Sequence, residues 1–303
     1  MTEDARRPFG RLLTAMVTPM RPDGALDAEG AARLATYLVD EQSNDALVVN
    51  GTTGEAPTTT DAEKETLVRA VVEAVGDRAK VVAGVGSNDT HHTIELARAA
   101  EKAGAHGLLV VTPYYNRPPQ TGLIRHFTAV ADATDLPILL YDIPQRTGTP
   151  IATETLCRLA EHHRIVGVKD AKGNLTETSW VLRRTDLAYY SGDDAMTLPL
   201  LSVGGVGVVG TSTHLTGVGT KQMIEAYERG DVAAALARHR ELLPLYTGIF
   251  RTQGTILVKA AMNQLGLPAG PVRPPLVDAT PAEVAQLRED CAAAGLPLPA
   301  SAA

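Results

Sequence analysis

A lysine closes the apolar run IVGVK at position 169, where a β-branched strand would bury it and strip water from its ammonium. Desolvation favours the uncharged amine, and a free amine adds to a ketone carbonyl to give a Schiff base. The competing reading is an ammonium that snorkels to an ion pair with Asp170 or with a neighbouring strand. Lys172 and Lys259 offer the same group with less reason, since the first lies in the following loop and the second in a helical segment. Schiff-base chemistry needs proton transfers, and Tyr141, ending the run PILLY, presents a phenol that can donate or accept. Thr53 and Tyr115 can extend such a relay. Each also has a plainer reading: Tyr141 as a buried tyrosine with one hydrogen bond, Tyr114 and Tyr115 as an aromatic pair at a subunit interface. The turn GTTGE, residues 51–55, offers backbone N–H groups of the kind that hold a carboxylate. Its glycines and threonines equally suit a tight turn with a helix cap.

These residues share an address, because each ends or follows an apolar run. The runs are LLTAMV (12–17), ALVVN (46–50), KVVAGV (80–85), GLLVV (107–111), PILLY (137–141), IVGVK (165–169), LAYYSG (187–192) and VGVVG (206–210). They are short, β-branched and continuously apolar, which predicts strands covered on both faces in a parallel sheet. Helix-period segments lie between them, several with Thr or Asp near the start and Gly after the end. The alternation predicts a (β/α)8 TIM barrel over residues 1–230 and an appended C-terminal helical subdomain of three helices over 231–303, packed on the barrel. In a doubly wound sheet fewer strands and a switch point are expected. Barrel chemistry sits at the C-terminal strand ends, which here carry Thr18, Asn50 to Glu55, Thr112 to Tyr115, Tyr141, Lys169 and Ser191 to Asp194.

Several function classes are disfavoured. The formal charge of −7, with no basic cluster, argues against a nucleic-acid surface. No apolar stretch approaches the ~18 residues a membrane span needs, and the first residues lack the pattern of a secretory signal. Cys157 and Cys291 are far apart and lack CxxC spacing, which fits a reducing cytoplasm and no metal site. GGVGVVG (204–210) contains a literal GxGxxG, but its glycines sit in and before a strand instead of opening a helix, against a nicotinamide cofactor. The histidine pairs 91–92 and 162–163 lack zinc-site spacing and read as solvated helix-end residues.

GTTGE, VTPYYNRP, YDIP-x-RTG, IVGVKDAKGN and YSGDD, in this order, resemble the dihydrodipicolinate synthase family of class I pyruvate aldolases. The resemblance implies an imine between Lys169 and pyruvate. Its enamine would attack the aldehyde of L-aspartate 4-semialdehyde, and cyclisation would give 4-hydroxy-tetrahydrodipicolinate, a lysine precursor. Tyr141, Thr53 and Tyr115 are the implied proton relay, with Tyr115 reaching into the neighbouring subunit's site. The backbone of Thr52 and Thr53 is implied to hold the pyruvate carboxylate, Val209 to line the same pocket and Gly192 to sit at its mouth. No metal or organic cofactor is implied, since the lysine is the electron sink. The implied assembly is a homotetramer, a dimer of dimers, in the cytoplasm.

Arg146, in YDIPQRTG, resembles the synthase pattern, in which a guanidinium meets the semialdehyde carboxylate by a forked contact. Similar aldolases, including N-acetylneuraminate lyase, share the lysine and tyrosine but take other aldehydes. A pyruvate aldolase for N-acetylmannosamine or a sugar-acid aldehyde therefore stays open. So does a pyruvate-binding protein without turnover, although every relay residue is present. Lysine-inhibited members carry a histidine pair after the GTTGE turn and an acidic residue after the strand-three loop. Here Asp61, Lys64 and His92 stand there, with Asn88 and Tyr114 retained, so strong lysine feedback is not expected. Inhibition at low lysine in an activity titration is the contrary observation.

Overall fold

The computed structural model describes residues 7–299; the outer ends of the two expected units, 1–6 and 300–303, lie outside the described residues. Eight parallel strands close into one barrel in chain order: β1 (Leu12–Ala15), β2 (Ala46–Val49), β3 (Lys80–Gly84), β4 (Gly107–Val111), β5 (Ile138–Asp142), β6 (Ile165–Asp170), β7 (Ala188–Ser191) and β8 (Gly207–Gly210). Each predicted apolar run coincides with one strand, β5 and β6 extending one residue further, to Asp142 and Asp170. The helices between them are α1 (Ala28–Asp40), α2 (Asp61–Val75), α3 (Thr90–Lys102), α4 (Gln120–Asp132), the short α5 (Pro144–Thr147), α6 (Thr153–Leu159), α7 (Leu175–Leu182) and α8 (Thr197–Leu201). After β8 come α9 (Thr213–Glu228), α10 (Val232–Gly248), α11 (Gly254–Gln264) and α12 (Pro281–Ala293).

The unbroken apolar runs have two destinations. Leu13, Val48, Val82, Leu139 and Val209 fill the barrel interior. Leu47, Val81, Val110, Leu140 and Val168 point outward and pack with the helices. Both faces are dry, so the period-two alternation of a half-exposed strand never develops. Helix starts follow the predicted chemistry. Asp27, Asp89 and Asp231 accept backbone N–H groups of the first turns of α1, α3 and α10, and Thr60–Glu63 and Thr280–Glu283 form capping boxes on α2 and α12. Leu245, Leu257, Val258, Met262 and Leu287, all beyond residue 230, join the same apolar cluster as the outward strand faces.

The seam between β1 and β8 needs glycine. A Cβ on Gly207 would lie 1.9 Å from the carbonyl oxygen of Arg11. Within GGVGVVG, Gly207 thus serves the close approach of β8 to the chain entering β1.

Candidate active site

Gly167 and Lys169 lie on one face of β6, since residues two apart on a strand point the same way. That face is the interior, because a Cβ at Gly167 would meet Leu139 Cδ2 at 2.9 Å. Lys169 is therefore turned into the barrel mouth, paired in register with Tyr141 on one side and Tyr190 on the other, and only 4% exposed. Its amine stands 4.2 Å from the centre of the Tyr141 ring. Among the described residues it has no ion-pair partner. Asp170 faces away and accepts hydrogen bonds from Lys172 N (2.8 Å), Gly173 N (3.3 Å) and Thr178 Oγ1 (3.0 Å). Burial drives the Lys169 pKa down to about 8; the nearby charge of Asp194 opposes this and that of Arg146 assists it. The other lysines are engaged, Lys172 with Glu177 at 2.8 Å and Lys259 with Glu55 at 2.6 Å.

Burial pushes Tyr141 up to about 12, against the charge of Arg146 and a hydrogen bond from the Thr52 side chain, so the phenol keeps its proton at neutral pH. The relay expected from sequence runs through Thr53. The side chain that meets Tyr141 is that of Thr52, whereas the Thr53 hydroxyl turns to Thr211 Oγ1 at 3.3 Å. A one-residue step around the turn reverses the side chain. The turn is also built differently from expectation. The left-handed residues are Asn50 (φ 57°), just before the turn, and Glu55 (φ 58°), which ends it, not the glycines. Gly54 sits at a close approach, since a Cβ there would lie 3.1 Å from both Met16 O and Thr18 Oγ1. The helix cap is Thr60, outside the turn. The backbone N–H groups of Thr52 and Thr53 have no acceptor among the described residues.

Behind the turn lies support that sequence reasoning missed. Asp194 is 1% exposed and accepts from Thr211 N (3.1 Å), Ser212 N (3.0 Å) and Ser212 Oγ (2.5 Å), fixing the entry to α9. His214, held neutral by burial with its pKa near 4, accepts from Val17 N at 3.1 Å and donates to Thr211 O at 2.8 Å. YSGDD signalled the acid; nothing in it signalled partners 17 and 18 residues further on. Val209 lies on the interior face of β8, and Gly192 N donates to Asp170 O at 2.7 Å beside the β6 end.

A cavity of about 540 Å³ opens here, lined by Thr52, Tyr141 and Arg146 and also by Asp61, Lys64, His92, Asn88 and Tyr114. His92 is thus a cavity residue and not simply a solvated helix end; its Nε2 lies 2.9 Å from Asp61 Oδ2. His162 likewise has a partner, Asp132 at 3.1 Å. Arg146 lines the cavity with no ion-pair partner among the described residues. Tyr115 stands apart: 90% exposed, with a left-handed φ of 73°, it does not line its own chain's cavity. Among the described residues no His, Cys, Asp or Glu cluster is placed to hold a metal ion, and no helix is long and apolar enough to cross a membrane.

A (β/α)8 barrel that seals an unpaired amine at its strand ends, beside a protonated phenol, is a lysine-bearing barrel suited to carbonyl chemistry. The family model described as the dihydrodipicolinate synthetase family matches residues 8–294, and the chain belongs to that family. It is 72% identical over 288 residues to a 4-hydroxy-tetrahydrodipicolinate synthase of Acidothermus cellulolyticus, covering 95% of this chain and 93% of the relative. A Streptomyces coelicolor protein named 4-hydroxy-tetrahydrodipicolinate synthase 2 is 62% identical, covering 98% of this chain and 99% of that one. The crystal structure of the Cyanidioschyzon merolae enzyme with lysine bound superposes with a TM-score of 0.93 at 45% identity, over 95% of this chain and 99% of that one. A chloride-inhibited Acinetobacter baumannii dihydrodipicolinate synthase complexed with pyruvate gives a TM-score of 0.91 at 32% identity, over 95% and 99%.

Placing an ammonium at this site costs stability. The unfolded chain holds the lysine proton up to its ordinary value near 10.5 and the folded chain only to about 8, so stability rises with pH between these limits. Lys169→Met is expected to stabilise the fold at pH 7 by roughly 3 kcal/mol, the gain fading as pH rises from about 8 towards 10.5, while abolishing activity. Urea melts at pH 7 and pH 10 measure it; a destabilised variant at pH 7 contradicts the desolvation account.

Proposed function

We propose that this chain is a 4-hydroxy-tetrahydrodipicolinate synthase, condensing pyruvate with L-aspartate 4-semialdehyde through a Schiff base on Lys169. The observation that carries the reading is the buried, unpaired amine of Lys169, 4.2 Å from the Tyr141 ring, in a chain of this family. Lys169 Nζ adds to C2 of pyruvate, and loss of water leaves the imine; the Tyr141 phenol supplies the proton that the departing hydroxyl needs. Removal of a C3 proton gives the enamine, whose C3 attacks the aldehyde carbon of the semialdehyde. The amino group of the semialdehyde then displaces Lys169 from C2 and closes the ring, so one water is lost overall.

The remaining residues bind and orient. The free N–H groups of Thr52 and Thr53 receive the pyruvate carboxylate, and the Thr52 hydroxyl hands protons to and from Tyr141. Arg146, unpaired at the cavity wall, receives the second carboxylate. Tyr115, strained and exposed, completes the relay in a neighbouring subunit, and the assembly is a homotetramer of two tight dimers acting in the cytoplasm. The barrel, 1–230, carries this chemistry and the extension, 231–303, braces it.

Borohydride reduction in the presence of pyruvate is expected to add the pyruvate-derived mass to the peptide containing Lys169; a missing or misplaced increment rejects the reading. Arg146→Ala is expected to lower kcat/KM for the semialdehyde about 100-fold while pyruvate trapping stays within a few-fold at pH 9. Measured at pH 7, trapping also slows, because Arg146 helps to lower the Lys169 pKa and its loss protonates more of the amine. Equal loss of both activities removes the assigned role. Tyr115→Phe and Lys169→Met are each expected to be inactive, but refolding them together should restore about a quarter of wild-type activity, one site in each mixed dimer. No recovery places Tyr115 outside its neighbour's site.

A further inference from the structure

The turn that carries Thr52 is gripped by an element that contributes nothing to the barrel strands. Glu55 ends the turn in a left-handed conformation, φ 58°, that a glutamate adopts only when its surroundings hold it there. Its Oε1 lies 2.6 Å from Lys259 Nζ of α11, the two side chains 1% and 2% exposed. Its Oε2 accepts the backbone N–H of Arg273 at 2.7 Å. Lys259 also donates to Pro271 O at 2.7 Å, and Thr255, one turn earlier on α11, donates its hydroxyl to Thr53 O at 3.0 Å. The Arg273 guanidinium reaches Thr58 O at 2.8 Å, just past the turn. The segment 255–273 thus holds the turn by its one buried acid and by the carbonyl of Thr53.

A buried ion pair stabilises a fold little better than apolar side chains of the same volume, because desolvation of both ions offsets their attraction. What it does impose is geometry, since neither charge tolerates losing its partner. We infer that Lys259 is a positioning residue: through Glu55, and with Thr255, it sets the conformation in which the Thr52 and Thr53 N–H groups and the Thr52 hydroxyl meet the keto acid. This rests on the pyruvate reading above. The competing role is simple adhesion of the extension to the barrel, which stabilises the protein without touching substrate affinity.

The test compares Lys259→Met, the neutral pair Glu55→Gln with Lys259→Met, and Thr255→Val. For each, the pyruvate concentration that half-saturates borohydride trapping at Lys169 is measured, with the KM for the semialdehyde and the melting temperature. Lys259→Met is expected to raise the half-saturating pyruvate about tenfold, with the trapping plateau and the semialdehyde KM unchanged. In the neutral double variant melting recovers while the pyruvate defect persists. Thr255→Val, which removes one hydroxyl and no charge, moves pyruvate the same way about threefold and carries the test should the charge variants fail to fold. Unchanged half-saturation in the folded variants, or an equal rise for both substrates, overturns the inference. An absence of trapping on wild-type Lys169 overturns the pyruvate reading instead.

Discussion

Withholding water from a single amine organises this molecule. The protein buries several ionisable groups, and nearly all are compensated: Glu55 by Lys259, Asp194 by three donors from the α9 entry, His214 by two backbone groups. Asp142, raised to about 6 by burial, keeps Lys172 at 3.5 Å and the N–H of Ile151. Among the described residues Lys169 has no ion-pair partner, and its amine stands over the face of the Tyr141 ring. Among these residues the amine is set apart from the other buried charges, and a perturbed pKa beside a tyrosine that lines the cavity is where chemistry is to be sought.

The barrel makes this affordable. Strands dry on both faces bury the β6 end, and Tyr141 beside it belongs to the interior cluster of Leu139, Ala188 and Val209. The charged form of Lys169 is tolerated because Tyr141 lies beside it and the charge of Asp194 favours it, while burial keeps part of the group as the free amine near neutral pH. Arg146 adds positive charge to the same neighbourhood, so one side chain can both favour the free amine and receive a carboxylate.

The extension is part of this arrangement. Its apolar residues share the outer core of the barrel, and α11 reaches the turn after β2. The segment beyond the eighth strand therefore reaches the most exacting backbone in the site, where two non-glycine residues adopt left-handed conformations.

Read alone, the sequence determined the fold and the strand positions, and it singled out Lys169 as the candidate amine. Strands dry on both faces leave continuous apolar runs, caps leave Thr and Asp at helix starts, and a cation at the end of a buried strand stands out against both. Tertiary structure decided the rest. Which threonine faces Tyr141 turns on the reversal of one backbone step, the left-handed Glu55 is held by a contact 218 residues away, and His92 on α3 meets Asp61 of α2 at the cavity. Periodicity and composition report how each segment meets solvent. Contacts between distant segments depend on closure of the barrel, and no local pattern records them.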